Sequence, residues 1–318
     1  MKNILVTGAA GFIGFNISNF LLNKNFRVFG IDNYDNYYST KIKYIRIKIL
    51  NKNKNFFFKK IDITNKKKLD FFFKKKKFDF VIHLAAQAGV RYSLINPQKY
   101  IDVNIIGFLN IIEQIKINNI KNFIYASSSS VYGDSKKFPL NEKHTLKPKN
   151  IYAMSKKLNE QIAKIYSQEF KINCIGLRFF TVFGEWGRPD MFMLKLFKSH
   201  IKNSYFYLNN YGNHLRDFTY IEDVVKVIGK LMNKNFNKHE VFNICSNNPI
   251  NIYDIVKEFQ KKNKLSVKLV EMHKADILKT HGDNAKLKKF GLKIQYTPFY
   301  KAFFKTFEWY KKNNIYKH

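Results

Sequence analysis

The chain has 318 residues, 45% of them hydrophobic and 17% aromatic, enough for one large or two closely joined domains and too apolar for a disordered chain. Its formal charge of +34 invites a nucleic-acid reading, yet only six of the 57 basic residues are arginine and 51 are lysine. With Asn, Ile and Phe also abundant, the charge reads as A/T codon bias, since a groove reader favours the planar guanidinium fork over the point charge of lysine.

In chain order, Ile4–Thr7 reads as a buried strand that begins almost at once, leaving no room for a signal peptide. Gly8, Gly11 and Gly14 follow it and open a helix expected over Gly11–Lys24, with Phe12 and Ile13 inside the turn. A strand, a glycine turn and a helix let the backbone approach a pyrophosphate, whose charge meets the helix N-terminus. Arg27–Ile31 reads as a second strand ending at Asp32, 18 residues after Gly14. A carboxylate there suits the adenosine ribose hydroxyls and repels a 2′-phosphate, so NAD is expected rather than NADP.

Strand-like runs recur at Phe56–Ile61, Phe80–Leu84, Phe123–Ser127, Asn173–Arg178 and Glu240–Cys245, with helical patterns between, notably Gln98–Ile117 and Ile151–Phe170. This alternation predicts an α/β fold with a doubly wound parallel sheet. Lys66–Lys68 and Lys74–Lys77 read as solvated helix faces or ends. Asp62 and Ile63, after the third strand, suit the adenine end of a dinucleotide, and Leu84, Ala85 and Ala86 leave room for its backbone. Asn104 is a cofactor-side candidate that reads equally well as a satisfied helix polar residue. His83, at a buried strand end, reads as a packed core histidine. After about residue 180 the alternation weakens. Residues 1–180 are therefore expected to form a NAD-binding domain, to which a strand near 240–245 returns, and 181–318 mainly a smaller substrate-binding lobe. Cys174 and Cys245 sit in apolar runs without metal-ligand spacing, which predicts buried thiols and no metal. No apolar run reaches the roughly 18 residues of a membrane span, and a cytoplasmic, soluble protein is expected.

The strongest chemical signal is Tyr152, 24 residues after Ser128 and four before Lys156. Tyr152 and Lys156 share one face of a helix. An ammonium there is expected to pull down a tyrosine pKa that is about 10 in water, giving a proton carrier at neutral pH. Alone, Tyr-x-x-x-Lys is a weak signal; with the upstream serines and the glycine turn in this order it is a specific one.

These motifs resemble the extended short-chain dehydrogenase/reductases, the nucleotide-sugar epimerase and dehydratase family, from end to end. His83–Asn96 (HLAAQAGVRYSLIN), Leu177–Met191 (LRFFTVFGEWGRPDM) and Arg216–Asp223 (RDFTYIED) look specifically like UDP-glucuronate 4-epimerases. Two departures stand out: His273-Lys274-Ala275-Asp276 replaces the usual Arg- or Gln-Pro-Gly-Asp, and Glu185 stands where proline is common. The resemblance implies a NAD-dependent epimerisation of UDP-glucuronate to UDP-galacturonate through a 4-keto sugar. Tyr152 would take the C4 hydroxyl proton, Ser128 would bond the sugar oxygen and relay the proton, and Lys156 would also hold the nicotinamide ribose. Dehydratases of this family carry Asp-Glu after the serine and decarboxylases a Glu at the second position, whereas this chain has Ser129 and Ser130. Those hydroxyls, assisted by Thr181, would bond the substrate carboxylate and keep a β-keto acid from losing CO2; their bland reading is a polar strand end. Arg188 and Arg216 are expected on the diphosphate, where guanidinium pairs bidentately with phosphate oxygens. Arg91 either bonds substrate or fixes its loop, and Asp276 is a nucleoside candidate. The expected partners are a UDP-sugar and a second copy of the chain in a homodimer, with no specific nucleic acid. The alternatives are another UDP-sugar 4-epimerase, a UDP-glucuronate decarboxylase, or a non-catalytic NAD-binding or basic nucleic-acid-binding module.

Overall fold

The computed structural model describes residues 1–272 and 276–313. Its first half alternates β1 (Asn3–Thr7), β2 (Arg27–Asp32), β3 (Phe56–Lys60), β4 (Phe80–His83), β5 (Asn122–Ser128) and β6 (Asn173–Phe179) with helices. These helices are α1 (Phe12–Asn23), α2 (Thr40–Leu50), α3 (Lys66–Lys74), α4 (Val90–Ile95), α5 (Pro97–Tyr100), α6 (Gly107–Ile117) and α7 (Ile151–Phe170). The later strands are β7 (Thr181–Phe183), β8 (Phe206–Asn209), β9 (Leu215–Tyr220), β10 (Glu240–Ile244), β11 (Pro249–Asn251) and β12 (Val267–Val270).

Seven strands form one sheet in the order β10-β6-β5-β4-β1-β2-β3, every pair parallel. A parallel sheet is buried on both faces, so its strands read as nearly unbroken apolar runs. Along β1, Ile4 and Val6 enter one core cluster while Leu5 enters the other. Ile82 and Val81 divide the same way on β4, as the two-residue period of a strand requires. The chain winds outward from β1 in both directions, so a crevice opens beyond the carboxyl ends of β1 and β4, where such sheets bind ligands. β10 returns to pair with β6. β7, β9 and β11 form a small separate sheet, and β8 pairs with β12.

Two elements differ from the sequence reading. α2 was not expected, because its buried stripe includes Lys43 and Arg46 along with Ile42, Ile47 and Leu50; charges inside the stripe hide the helical period. The stretch expected as the single helix Gln98–Ile117 is interrupted by a π-helical segment, Ile101–Ile106, between α5 and α6. α7 is bounded as read. The Asn150 side chain accepts from Ala153 N at its start, and Lys171 takes a left-handed conformation at its end. Cys174 and Cys245 are both buried free thiols. Among the described residues, no helix is long and apolar enough to cross a membrane.

Candidate active site

A cavity of about 510 Å³ runs from the glycine turn across the carboxyl ends of β1, β4 and β5 to α7, with β7 and Arg216 on its far wall. At one end lie Gly8, Gly11, Phe12, Ile13 and Gly14, with Asp32, Ile63, Leu84, Ala85 and Ala86 around them. Gly8 has a φ of +71° and packs so tightly that a Cβ would sit 2.7 Å from Ala85 N; one on Gly14 would sit 2.0 Å from Gly8 O. The turn therefore lets the first N–H groups of α1 face the cavity unobstructed. Asp32 accepts from Ala10 N and Tyr34 N, which fixes its carboxylate at the end of β2, although burial raises its pKa. A concave groove, a helix N-terminus and a strand-end carboxylate fit an NAD molecule whose pyrophosphate meets α1 and whose adenosine ribose meets Asp32.

At the other end, Ser128, Ser129, Ser130, Tyr152, Lys156, Thr181 and Arg188 line the same cavity. The Ser128 hydroxyl accepts from Ser130 N at 3.1 Å and donates to Ser130 Oγ at 3.1 Å, so it caps the short turn that carries the next two serines. Lys156 is 2% exposed. Its ammonium donates to Ala126 O at 3.0 Å, and burial lowers its pKa to about 8. Tyr152 departs from the sequence expectation. Its pKa is raised, because burial outweighs the Ser128 hydroxyl and the charge of Arg188, which pull it down. The groups that pull its pKa down are the Ser128 hydroxyl and the Arg188 charge.

Several other sequence candidates find partners within the protein. Asn104 does not line the cavity. Its amide accepts from Gln87 N and donates to Gln87 O and to Ser155 Oγ, which braces the segment after β4 against α7. Asp62 is not in the cavity lining and accepts from Asn33 Nδ2 and Thr64 N. Arg91 and Asp276 pair with each other at 3.1 and 2.8 Å, which engages both side chains proposed for substrate; Asp276 alone lines the cavity. The replaced triplet 273–275 lies outside the described residues. Arg188 is held bidentately by Asp190 at 3.0 and 2.5 Å. Arg216 donates to Leu215 O and Leu278 O, and burial lowers its pKa to about 10. His83, read as a packed core histidine, is buried, with Thr7 Oγ1 at 2.8 Å, and burial holds its pKa near 3. Lys43 lines the cavity beside Asp32 and escaped the sequence reading with the rest of α2. Arg46, fully buried, donates to Ala10 O at 2.8 Å and Trp186 O at 2.6 Å, tying the glycine turn to the Arg188 loop. The scarcity of arginine was the signal that could have marked it.

The family model described as the NAD dependent epimerase/dehydratase family matches residues 4–245, the part of the chain that holds the glycine turn, the serines and α7. The chain belongs to this family. A UDP-glucuronate 4-epimerase of Thermodesulfobacterium geofontis is 38% identical over 91% of this chain and 90% of its own length. An uncharacterized protein of Methanocaldococcus jannaschii is 43% identical over 91% and 90%. The crystal structure of UDP-glucuronic acid 4-epimerase from Bacillus cereus, in complex with UDP-glucuronic acid and NAD, superposes with a TM-score of 0.88 at 30% identity. It covers 98% of this chain and 99% of its own. As a member of an NAD-dependent family, this chain uses NAD, and its cavity has the groove, helix terminus and carboxylate such a cofactor needs.

Proposed function

We propose that the chain is an NAD-dependent UDP-sugar 4-epimerase and that its sugar is glucuronate, released as UDP-galacturonate. The observation that carries the reading is the chemistry around Tyr152. The cavity wall there carries hydroxyls (Ser128, Ser129, Ser130, Thr181) and two cations, Lys156 and Arg188, and the charge of Arg188 pulls the tyrosine pKa down. The described carboxylates that line the cavity are Asp32, Asp35 and Asp276. A site of hydroxyls and a guanidinium suits a substrate that brings its own carboxylate. It also lacks the acid needed to remove water from the sugar.

Gly8, Gly11 and Gly14 would hold the pyrophosphate of NAD, Asp32 its adenosine ribose and Lys156 its nicotinamide ribose; bound there, NAD supplies a hydride acceptor that is also the donor. Tyr152, as phenolate, takes the proton from the sugar C4 hydroxyl and returns it. Ser128 bonds the same oxygen and steadies the phenolate. Ser129, Ser130 and Thr181 hold the C6 carboxylate by hydrogen bonds, which keeps it out of the orientation that expels CO2 from a β-keto acid. Arg188, whose charge pulls the Tyr152 pKa down, and Arg216, on the far wall, would serve the diphosphate. UDP-glucuronate and UDP-glucose offered together at equal concentration, with products separated by mass spectrometry, test the assignment. UDP-galacturonate is the expected main product; mainly UDP-galactose would move the assignment to the neutral-sugar epimerases.

A further inference from the structure

Behind the serines lies a buried ion pair that the reaction does not use. Glu160, on α7 one turn beyond Lys156, and Arg178, near the end of β6, are 2% and 4% exposed. Arg178 grips the carboxylate bidentately, Nε to Oε1 at 2.9 Å and Nη2 to Oε2 at 2.7 Å. Ser127, the neighbour of Ser128, donates to the same Oε1 at 2.6 Å. The remaining Arg178 nitrogen, Nη1, donates to the Tyr132 hydroxyl at 2.8 Å. Tyr132 closes the short turn that carries Ser129 and Ser130, and in turn donates to Asn243 of β10 at 2.6 Å.

We infer that Glu160 and Arg178 are positioning residues that hold the serine strand end, the Ser129–Ser130 turn and α7 in one register, so that Ser128 stays within reach of Tyr152. Stability alone does not account for them. Desolvating two charges cancels much of their attraction, and apolar residues of the same volume are often as stable. Apolar packing cannot, however, fix three segments by directed bonds. Arg178 uses both faces of its fork, and Glu160 takes bonds from two strands at once. Arg178 also leads directly through Phe179 and Phe180 to Thr181, so the same pair anchors the far wall of the cavity. The inference rests on Ser128 and Tyr152 being the proton-handling pair.

The test compares Ser127→Ala, Glu160→Gln and Glu160→Ala with wild type and with Tyr152→Phe. The measurements are bound NAD by absorbance, UDP affinity by calorimetry, thermal stability, and steady-state kinetics on the UDP-sugar that wild type turns over. A misplacement of about 1 Å costs on the order of a hundredfold in rate, so Glu160→Ala should lose about a hundredfold in kcat. Ser127→Ala, which cuts one bond and leaves the ion pair intact, should lose about tenfold. Glu160→Gln should fall between them, because its amide oxygen still accepts from Ser127. In the Glu160 variants, KM, UDP affinity and NAD content should stay within about threefold of wild type, since neither Glu160 nor Arg178 lines the cavity. A kcat within about threefold of wild type in Ser127→Ala and Glu160→Gln, whatever happens to the melting temperature, would overturn the inference, as would a parallel loss of NAD and UDP binding. If Glu160→Ala does not fold, the other two decide. Turnover retained by Tyr152→Phe would instead remove the underlying reading of the proton pair, a signature separate from any result at Glu160.

Discussion

Thr181→Val isolates the feature on which the substrate assignment turns. Valine keeps the shape and the β-branching, so the backbone pairing of Thr181 with Phe218 should survive. What disappears is a hydroxyl on a residue that lines the cavity together with Ser129 and Ser130. If that hydroxyl bonds the C6 carboxylate, its loss costs roughly 1.5–3 kcal/mol, the worth of a hydrogen bond to a charged group, or about ten- to a hundredfold in kcat/KM for UDP-glucuronate. UDP-glucose has no carboxylate there, and its kcat/KM should change by less than about threefold. Ser130→Glu should act in the same direction and more strongly. Two like charges about 4 Å apart near a protein surface repel by about 4 kcal/mol, and the new carboxylate would face that of the substrate. Progress curves for both sugars with each variant supply the numbers. Equal losses on the two sugars would refute the reasoning, because they would show that Thr181 serves the fold or the proton relay and not the carboxylate.

Tyr152→Phe should lose at least about a thousandfold in kcat while retaining bound NAD, which absorbance of the purified variant checks, because the phenol serves proton transfer and not cofactor affinity. Lys156→Met should stabilise the protein at pH 7. The folded pKa of Lys156 is about 8 against an ordinary 10.5, so the unfolded chain holds the extra proton between those values and stability rises with pH across that window. Removing the buried charge should gain about 3 kcal/mol at pH 7 and almost nothing above about pH 10, read from paired melting curves at both pH values; an unchanged pH 7 melt would show that Lys156 is not penalised by burial. The chain should be a homodimer. Ile151, Met154, Leu158 and Ile165 are exposed on α7 and fall on one stripe, with Leu94 and Ile95 exposed on neighbouring α4. Sedimentation should give a dimer for wild type and a monomer for Leu158→Glu with Ile165→Glu; a wild-type monomer at micromolar concentration would remove the prediction.

The glycine turn, Asp32 and the main sheet were legible in the sequence because each is a local pattern: a strand, a break, a helix, repeated. The Tyr152–Lys156 spacing was legible for the same reason, since i and i+4 always share a helix face. Its electrostatics were not, because the pKa of Tyr152 depends on how deeply it is buried and on Arg188, 36 residues further along. Arg91 and Asp276 illustrate the same limit. Each was a plausible substrate ligand by type, and only the fold shows them facing each other across 185 positions. Arg46 and Arg178 were visible as two of six arginines in a lysine-rich chain, but their partners are carbonyls, tyrosine hydroxyls and a carboxylate from other parts of the fold. Asn104, read as either cofactor contact or helix polar residue, braces Gln87 and Ser155.

The most direct test of the central claim, a reversible oxidation at C4 with the hydride returned inside the cavity, uses UDP-glucuronate carrying deuterium at C4. The account predicts UDP-galacturonate that keeps the label at C4, with no net consumption of added NAD and little UDP-pentose. Label lost to solvent or to the free nucleotide pool would contradict a hydride returned within the site, and UDP-pentose as the main product would make the chain a decarboxylase.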